Sequence, residues 1–313
     1  MLAAHRERFD RVVVKAPAKL KTLYDLAQDR VAKQLDKTIR AGRGATFTAH
    51  VQRILLGQIR TGQAMVVKQL VDGSTELGET AQIEALRGVV KDISKMEEHF
   101  TGTSPVLPIE EAARFYGVID KNQTSLVRRF AGVPGKPGLY TRYGEIVIGK
   151  METELATGMM TGKPPSMITE AIREIADVEF WRAERICRTE LSWASNAANV
   201  DGMKAAAEEI PGMMHRWTEN VDDATGQPMD QKVAVDSLAC HGQVAALDGS
   251  KFVMPANSLV PDAKGNTEVP ESLVGLQWEF PPNRPNDRGQ TLPWRRAWGI
   301  PGWRYVGGER IYL

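Results

Sequence analysis

The stretch from Ile168 to Ala207 constrains this chain most, because it carries two different faces on one helical period. Phe180, Ala183, Cys187, Leu191, Ala194 and Ala198 recur every three or four residues, the spacing that lines up side chains along one side of an α-helix. A second row, Arg188, Ser192, Asn196 and Asn199, has the same spacing but is polar, so it projects from successive turns in another direction. The apolar seam must be buried. The polar row either meets water, with charges paired along the helix, or ties the helix to something polar. Pro211-Gly212 ends the helix, and short strand-like runs separated by turns begin after it.

Upstream, the chain reads as a series of helices. Leu20 to Ile39 places Leu23, Leu26, Ala27, Val31 and Leu35 at helical spacing, and Phe47 to Leu70 does the same with Val51, Ile54, Leu55 and Ile59. Arg40 to Gly44 separates the two. Further helices are expected from about Thr80 to Phe100 and from Ile109 to Phe130, the latter with Pro108 and two glutamates at its positive end. Gly132 to Gly138 is a Gly/Pro-rich break, and Tyr140 to Met159 is a helix that stops at the Thr161–Pro165 turn. Downstream, Met214 to Thr218 alternates as a half-buried strand, Asn220 to Gly226 is a turn, and Asp248-Gly249 between apolar runs signals a hairpin. The expected fold is α+β: a mostly helical N-terminal region, residues 1–150, and a domain over 151–313 in which short antiparallel strands pack on the long helix.

Composition adds exclusions. With 42% hydrophobic and 25% charged residues the sequence is that of a soluble globular protein, and it has no run apolar enough for a membrane span or a signal peptide. Two cysteines, Cys187 and Cys240, offer neither a disulfide framework nor a four-ligand zinc site, which fits a reducing cytoplasm. Cys240 beside His241 is a poor nucleophile and base pair, since neighbours on a strand point to opposite faces. Asp222, Asp223 and Asp230 lack the ligand spacing of a calcium loop. The net charge of +1 conceals segregation: Met1 to Arg60 holds 13 basic and five acidic residues, Glu170 to Lys232 holds 13 acidic and seven basic, and the last thirty or so residues turn basic again. A basic end attracts polyanions without sequence preference, and Arg40, Arg43, Arg53 and Arg60 are its candidate contacts with DNA or an acidic partner.

Arg185-Ile186-Cys187-Arg188-Thr189-Glu190, leading into a helix with Asn196 and Asn199, resembles the signature of the Mu-like phage head morphogenesis (minor head) proteins. A helix and a Gly/Pro-containing turn precede it in the order the resemblance requires. Trp217, Asp222 and Thr225 are similar to that family's strand and acidic turn, and His241 with Leu247-Asp248-Gly249 and Phe252 to its hairpin, with extra residues inserted. The resemblance covers roughly Met151 to Trp298. It implies that Arg188, Glu190 and Asn196 are fixed polar positions tying the helix to the following domain, and that Arg185, Thr189, Asp222, His241, Asp248, Asn286 and Arg288 belong to the signature set.

The segment from Trp278 to Trp294 is similar to that family's closing pattern, in which His and Cys residues are able to hold zinc. Here Arg284, Asp287 and Gly289 occupy those positions, so zinc is not expected, nor is any other cofactor. Pro282, Pro285, Asn286 and Arg288 would keep the frame of a rigid loop, capped by Trp294, Trp298 and Trp303. The resemblance implies a non-enzymatic virion protein at the portal vertex or capsid interior, assembled in host cytoplasm, with portal protein, major capsid protein and non-specific DNA as partners. The alternative is an ADP-ribosyltransferase-like or other particle-associated enzyme using Arg188 and Glu190 in an NAD pocket, for which no Gly-rich or aromatic nucleotide loop is present.

Overall fold

The computed structural model describes residues 7–15, 17–41, 49–105, 125–161, 163, 165–222, 227–229, 233–284, 287 and 289–313. The protein has a helical N-terminal half and small antiparallel sheets toward its C-terminus, an α+β fold. Its contacts resolve into two compact units, each assembled from separated segments: a helical unit of residues 15–77 and 124–188, and a strand-bearing unit of residues 1–14, 78–123 and 189–313. No boundary of these units falls at residue 150. Among the described residues, no helix is long and apolar enough to cross a membrane.

The helical unit contains α1 (Pro17–Ala41), the first part of α2 (Ala49–Thr101), a helical stretch over 125–131, α3 (Leu139–Met160) and the first part of α4 (Pro165–Ala207). Proline opens both α1 and α4, where the missing N–H would have no helical partner anyway. The sequence pattern predicts two helices over Phe47–Phe100, but α2 is continuous. Gly73 sits within it where a Cβ would come within 3.1 Å of the Leu20 side chain, a close approach of α2 to α1. The expected helix over Ile109–Phe130 lies mostly outside the described residues. The Gly132–Gly138 break is a two-rung hairpin of β1 (Gly132–Val133) and β2 (Lys136–Pro137). Leu20, Ala27, Val31 and Leu35 of α1 are buried, whereas Leu23 and Leu26 stay exposed. Tyrosine hydroxyls latch the helices: Tyr24 donates to the Ala176 carbonyl at 2.7 Å and lies 3.0 Å from the Tyr143 hydroxyl, and Tyr140 bonds Ser74 at 2.8 Å.

In the strand-bearing unit, the second parts of α2 and α4 meet at Gly202, where a Cβ would lie 2.7 Å from Val89, and they enclose an apolar cluster of Val89, Ile93, Met96, Met203, Ile210 and Trp298. The sheet has the order β4-β3-β7, all antiparallel, with β3 (Met214–Thr218) in the centre, β4 (Val244–Ala246) on one side and β7 (Gln290–Trp294) on the other. β3 matches the expected alternation, with His215 and Trp217 inward. Residues 235–240 form a short helix, α5 (Val235–Cys240), and His241 follows it in a turn. The strand expected around Cys240 is therefore corrected: Val235 and Leu238–Cys240 pack inward as one helical turn.

Two ribbons complete the unit, β5 (Phe252–Val253) with β6 (Gln277–Trp278) and β8 (Trp303–Val306) with β9 (Glu309–Tyr312). The Asp248-Gly249 turn does follow β4, but β5 pairs with β6 instead of returning along β4. The three tryptophans expected to cap the closing loop take separate places in the unit. Trp294, Trp298 and Trp303 are buried, and their indole N–H groups donate to Ile300 O, Glu97 Oε2 and His241 O.

Candidate functional site

The polar row of α4 faces protein. Ser192, Asn196 and Asn199 are at most 1% exposed, and the apolar seam from Phe180 to Ala198 is buried with them. What Asn196 meets is the free edge of β7, the outer strand of the sheet. Its Oδ1 accepts the Thr291 N–H at 2.7 Å, its Nδ2 donates to Gly289 O at 3.0 Å, and Asn199 Nδ2 donates to Thr291 O at 3.3 Å. An edge strand exposes a row of unpaired backbone groups. Here a side-chain amide, with a donor and an acceptor side by side, pairs with that edge as another strand would. Asn196 Nδ2 also reaches Ser192 O on its own helix.

The same device recurs at β5. Gln243 Oε1 accepts the Val253 N–H at 2.7 Å, while its Nε2 donates to Val253 O at 3.0 Å. A single buried glutamine thus closes the side of β5 opposite β6.

Beyond Asn196, the loop leading into β7 is organised by buried carboxyls. Asp287, 4% exposed, accepts the N–H groups of Asn283 (3.0 Å) and Gly289 (3.2 Å) and the Ser237 hydroxyl (3.1 Å). Glu219, 2% exposed, accepts the Trp217 indole N–H at 2.5 Å. Arg284 lies 3.4 Å from Asp236. Burial raises the pKa of both Glu219 and Asp287; in Glu219 the neighbouring Asp287 adds to the rise, and in Asp287 the backbone N–H of Asn283 opposes it. Gly289 is required by this crowding: a Cβ would fall 2.5 Å from Glu219 Oε1 and 2.8 Å from the Pro281 ring. Asp287 is thus an acceptor that folds the loop.

The remaining signature residues scatter. Arg188 pairs with Glu184 at 2.5 Å, one turn back on α4. Glu190 is buried and Thr189 half-buried, both in mid-helix, while Arg185 is exposed. His241 Nδ1 accepts the Glu219 backbone N–H at 3.1 Å, which joins the hairpin motif to the end of β3. Asp222 is exposed and its N–H donates to Gln227 O at 2.8 Å across the acidic turn. Asp248 folds its own turn by accepting from Ser250, and that hydrogen bond lowers its pKa. Asn286, Arg288 and Arg43 lie outside the described residues, as do the side chains of Arg40 and Arg53. Arg60 is exposed but held by Glu152 at 2.7 Å.

Neither thiol is poised for chemistry. Burial pushes Cys187 up to about 11, and burial raises Cys240 as well, with Glu219 and Asp287 adding to the rise. Burial lowers His215, tilted against Phe252 at 4.7 Å between ring centres, to about 4, so it is neutral near pH 7. Among the described residues, no group of three or more His, Cys, Asp or Glu is placed to hold a metal.

Sequence reasoning missed Glu219 and Gln243. Glu219 was legible, because it continues the inward phase of His215 and Trp217 on β3. Gln243 had no local signal, since its partner lies ten residues on, across a turn. Protein-family models, curated proteins and solved structures were compared with the chain, and none of the three gave a match.

Proposed function

We propose that this chain is a non-enzymatic virion component, a minor head protein of the Mu-like head morphogenesis type that binds portal protein or the inner capsid wall. The observation that carries the reading is the Asn196 contact. The helix with the Arg-Thr-Glu signature and the closing segment that begins at the paired prolines are far apart in sequence, and Asn196 joins them through Gly289 and Thr291. The buried polar groups of this region are spent on loop and strand backbone, the work expected of an assembly module. In this reading the basic residues before Arg60 contact packaged DNA or an acidic face of the portal through charge.

Purified phage heads, examined by mass spectrometry and by electron cryomicroscopy with a labelled chain, test the proposal. The chain is expected in intact heads, at the portal vertex or inner wall; its absence from them refutes the reading. For the DNA contact, neutralising Arg40, Arg43 and Arg53 should weaken binding to any sequence by a similar factor and flatten the salt dependence. A strong preference for one sequence contradicts the charge-driven contact.

A further inference from the structure

In the helical unit, α1 and α2 run side by side and leave a groove of about 460 Å³ between them. Its floor is tight: at Gly62 a Cβ would lie 2.5 Å from a Val31 methyl. Its walls are not filled. Ile54 and Met65 on α2 are 41% and 54% exposed, and Leu26 of α1, next to the lining residue Ala27, is 55% exposed. At Gly57 nothing lies within 4 Å of where a Cβ would be.

The lining on α2 recurs at Ile54, Gly57, Thr61, Met65 and Gln69, three or four residues apart. At 1.5 Å per residue that row extends about 22 Å. A groove of that length with an apolar row along one wall suits a single row of side chains from a partner helix.

Charge selects the partner. Among the described residues, Arg30 is the one ionic side chain in the lining, and Lys37 continues the same face two turns later; both are exposed and neither has a carboxylate partner among those residues. Asp29 and Asp25 on the same helix are already paired with Lys33 and Lys21. Two copies of this face would bring unpaired cations together, which disfavours self-association. We propose that this groove is a docking site for an amphipathic helix of a partner protein, its apolar row seated between α1 and α2 and its acidic flank against Arg30 and Lys37. This inference rests on the helical unit alone and is independent of the virion reading.

The test uses the full chain and a fluorescent synthetic helix of about eighteen residues, long enough to be substantially helical, with leucines on one face and glutamates elsewhere. Controls are a peptide with lysine for every glutamate and a scramble of the acidic one. The acidic helix should bind at least about tenfold more tightly than either control. Gly57→Leu fills open space at a helical position, so it should leave the fold intact by circular dichroism while weakening binding about tenfold or more. Arg30→Glu with Lys37→Glu should shift the preference to the lysine peptide. Equal binding of the scramble, no detectable binding of the acidic helix, or indifference to Gly57→Leu overturns the proposal. So does a concentration-dependent dimer in sedimentation that Gly57→Leu abolishes, since the groove would then be an interface between copies.

Discussion

In the helical unit, Tyr24 donates its hydroxyl to the carbonyl of Ala176, a residue in the middle of α4; in the strand-bearing unit, Asn196 accepts an N–H at the open edge of β7. The two contacts look alike but do different work. A long helix satisfies its own backbone, so polar side chains buried between helices are additions that fix which helix sits where. Strands of two to five residues in sheets of two or three strands leave edges and loops whose backbone groups need partners. Asn196, Gln243 and Asp287 supply them. Removing a polar group should therefore cost little in the first region and more in the second.

The largest effect expected is at Leu191, fully buried at the start of the strand-bearing unit's part of α4. Leu191→Asp places a charge in the seam and should destabilise that unit by about 4 kcal/mol or more. Six of the seven tryptophans lie in this unit, so tryptophan fluorescence in a urea titration reads it selectively. Wild-type behaviour of this variant would mean that the seam is not a core.

Next is a pH effect at His215. Its pKa in the folded protein, about 4, lies below the 6.5 of an unperturbed histidine, so the unfolded chain binds the extra proton first. Stability from this group is full above about pH 6.5 and is lost as pH falls toward 4, by roughly 3 kcal/mol. The raised carboxyls Glu219 and Asp287 act in the opposite sense, favouring the folded state as they protonate. The difference between wild type and His215→Leu across this range isolates the histidine. Parallel pH profiles for the two proteins would contradict its burial as a neutral ring.

Asn196→Ala should cost about 2 kcal/mol, because the Thr291 N–H and the Gly289 carbonyl both lose their partner; Asn199→Ala, which releases one carbonyl, should cost about 1 kcal/mol. Tyr24→Phe should cost the helical unit about 1 kcal/mol by circular dichroism, since Ala176 lies inside a helix whose own ladder uses that carbonyl and the Tyr143 hydroxyl alone loses a partner. If Tyr24→Phe proved more damaging than Asn196→Ala, the contrast between the two regions would fail.

The apolar seam of α4 was fully legible, because helical periodicity is a local property and each of its six positions is buried. The polar row beside it was legible as a row, and the resemblance implied that Asn196 ties the helix to the following domain, but the spacing did not name the partner. Its partner, the edge of β7, lies more than ninety residues downstream, and spacing carries no information about so distant a strand. The two-unit division was hidden for a related reason: two of its four boundaries fall inside α2 and α4, which continue across them as single helices.

Backbone hydrogen exchange resolved to single amides tests most directly whether side-chain amides stand in for missing strands. In the wild type, the Thr291 and Val253 N–H groups should be protected as if they lay inside a sheet, although each points away from its paired strand. Asn196→Ala should lower protection at Thr291 by about tenfold or more while leaving Val253 unchanged, and Gln243→Ala should do the reverse. Protection of Thr291 that persists in Asn196→Ala would show that the edge of β7 is held by something else, and the role assigned to the polar row of α4 would be wrong.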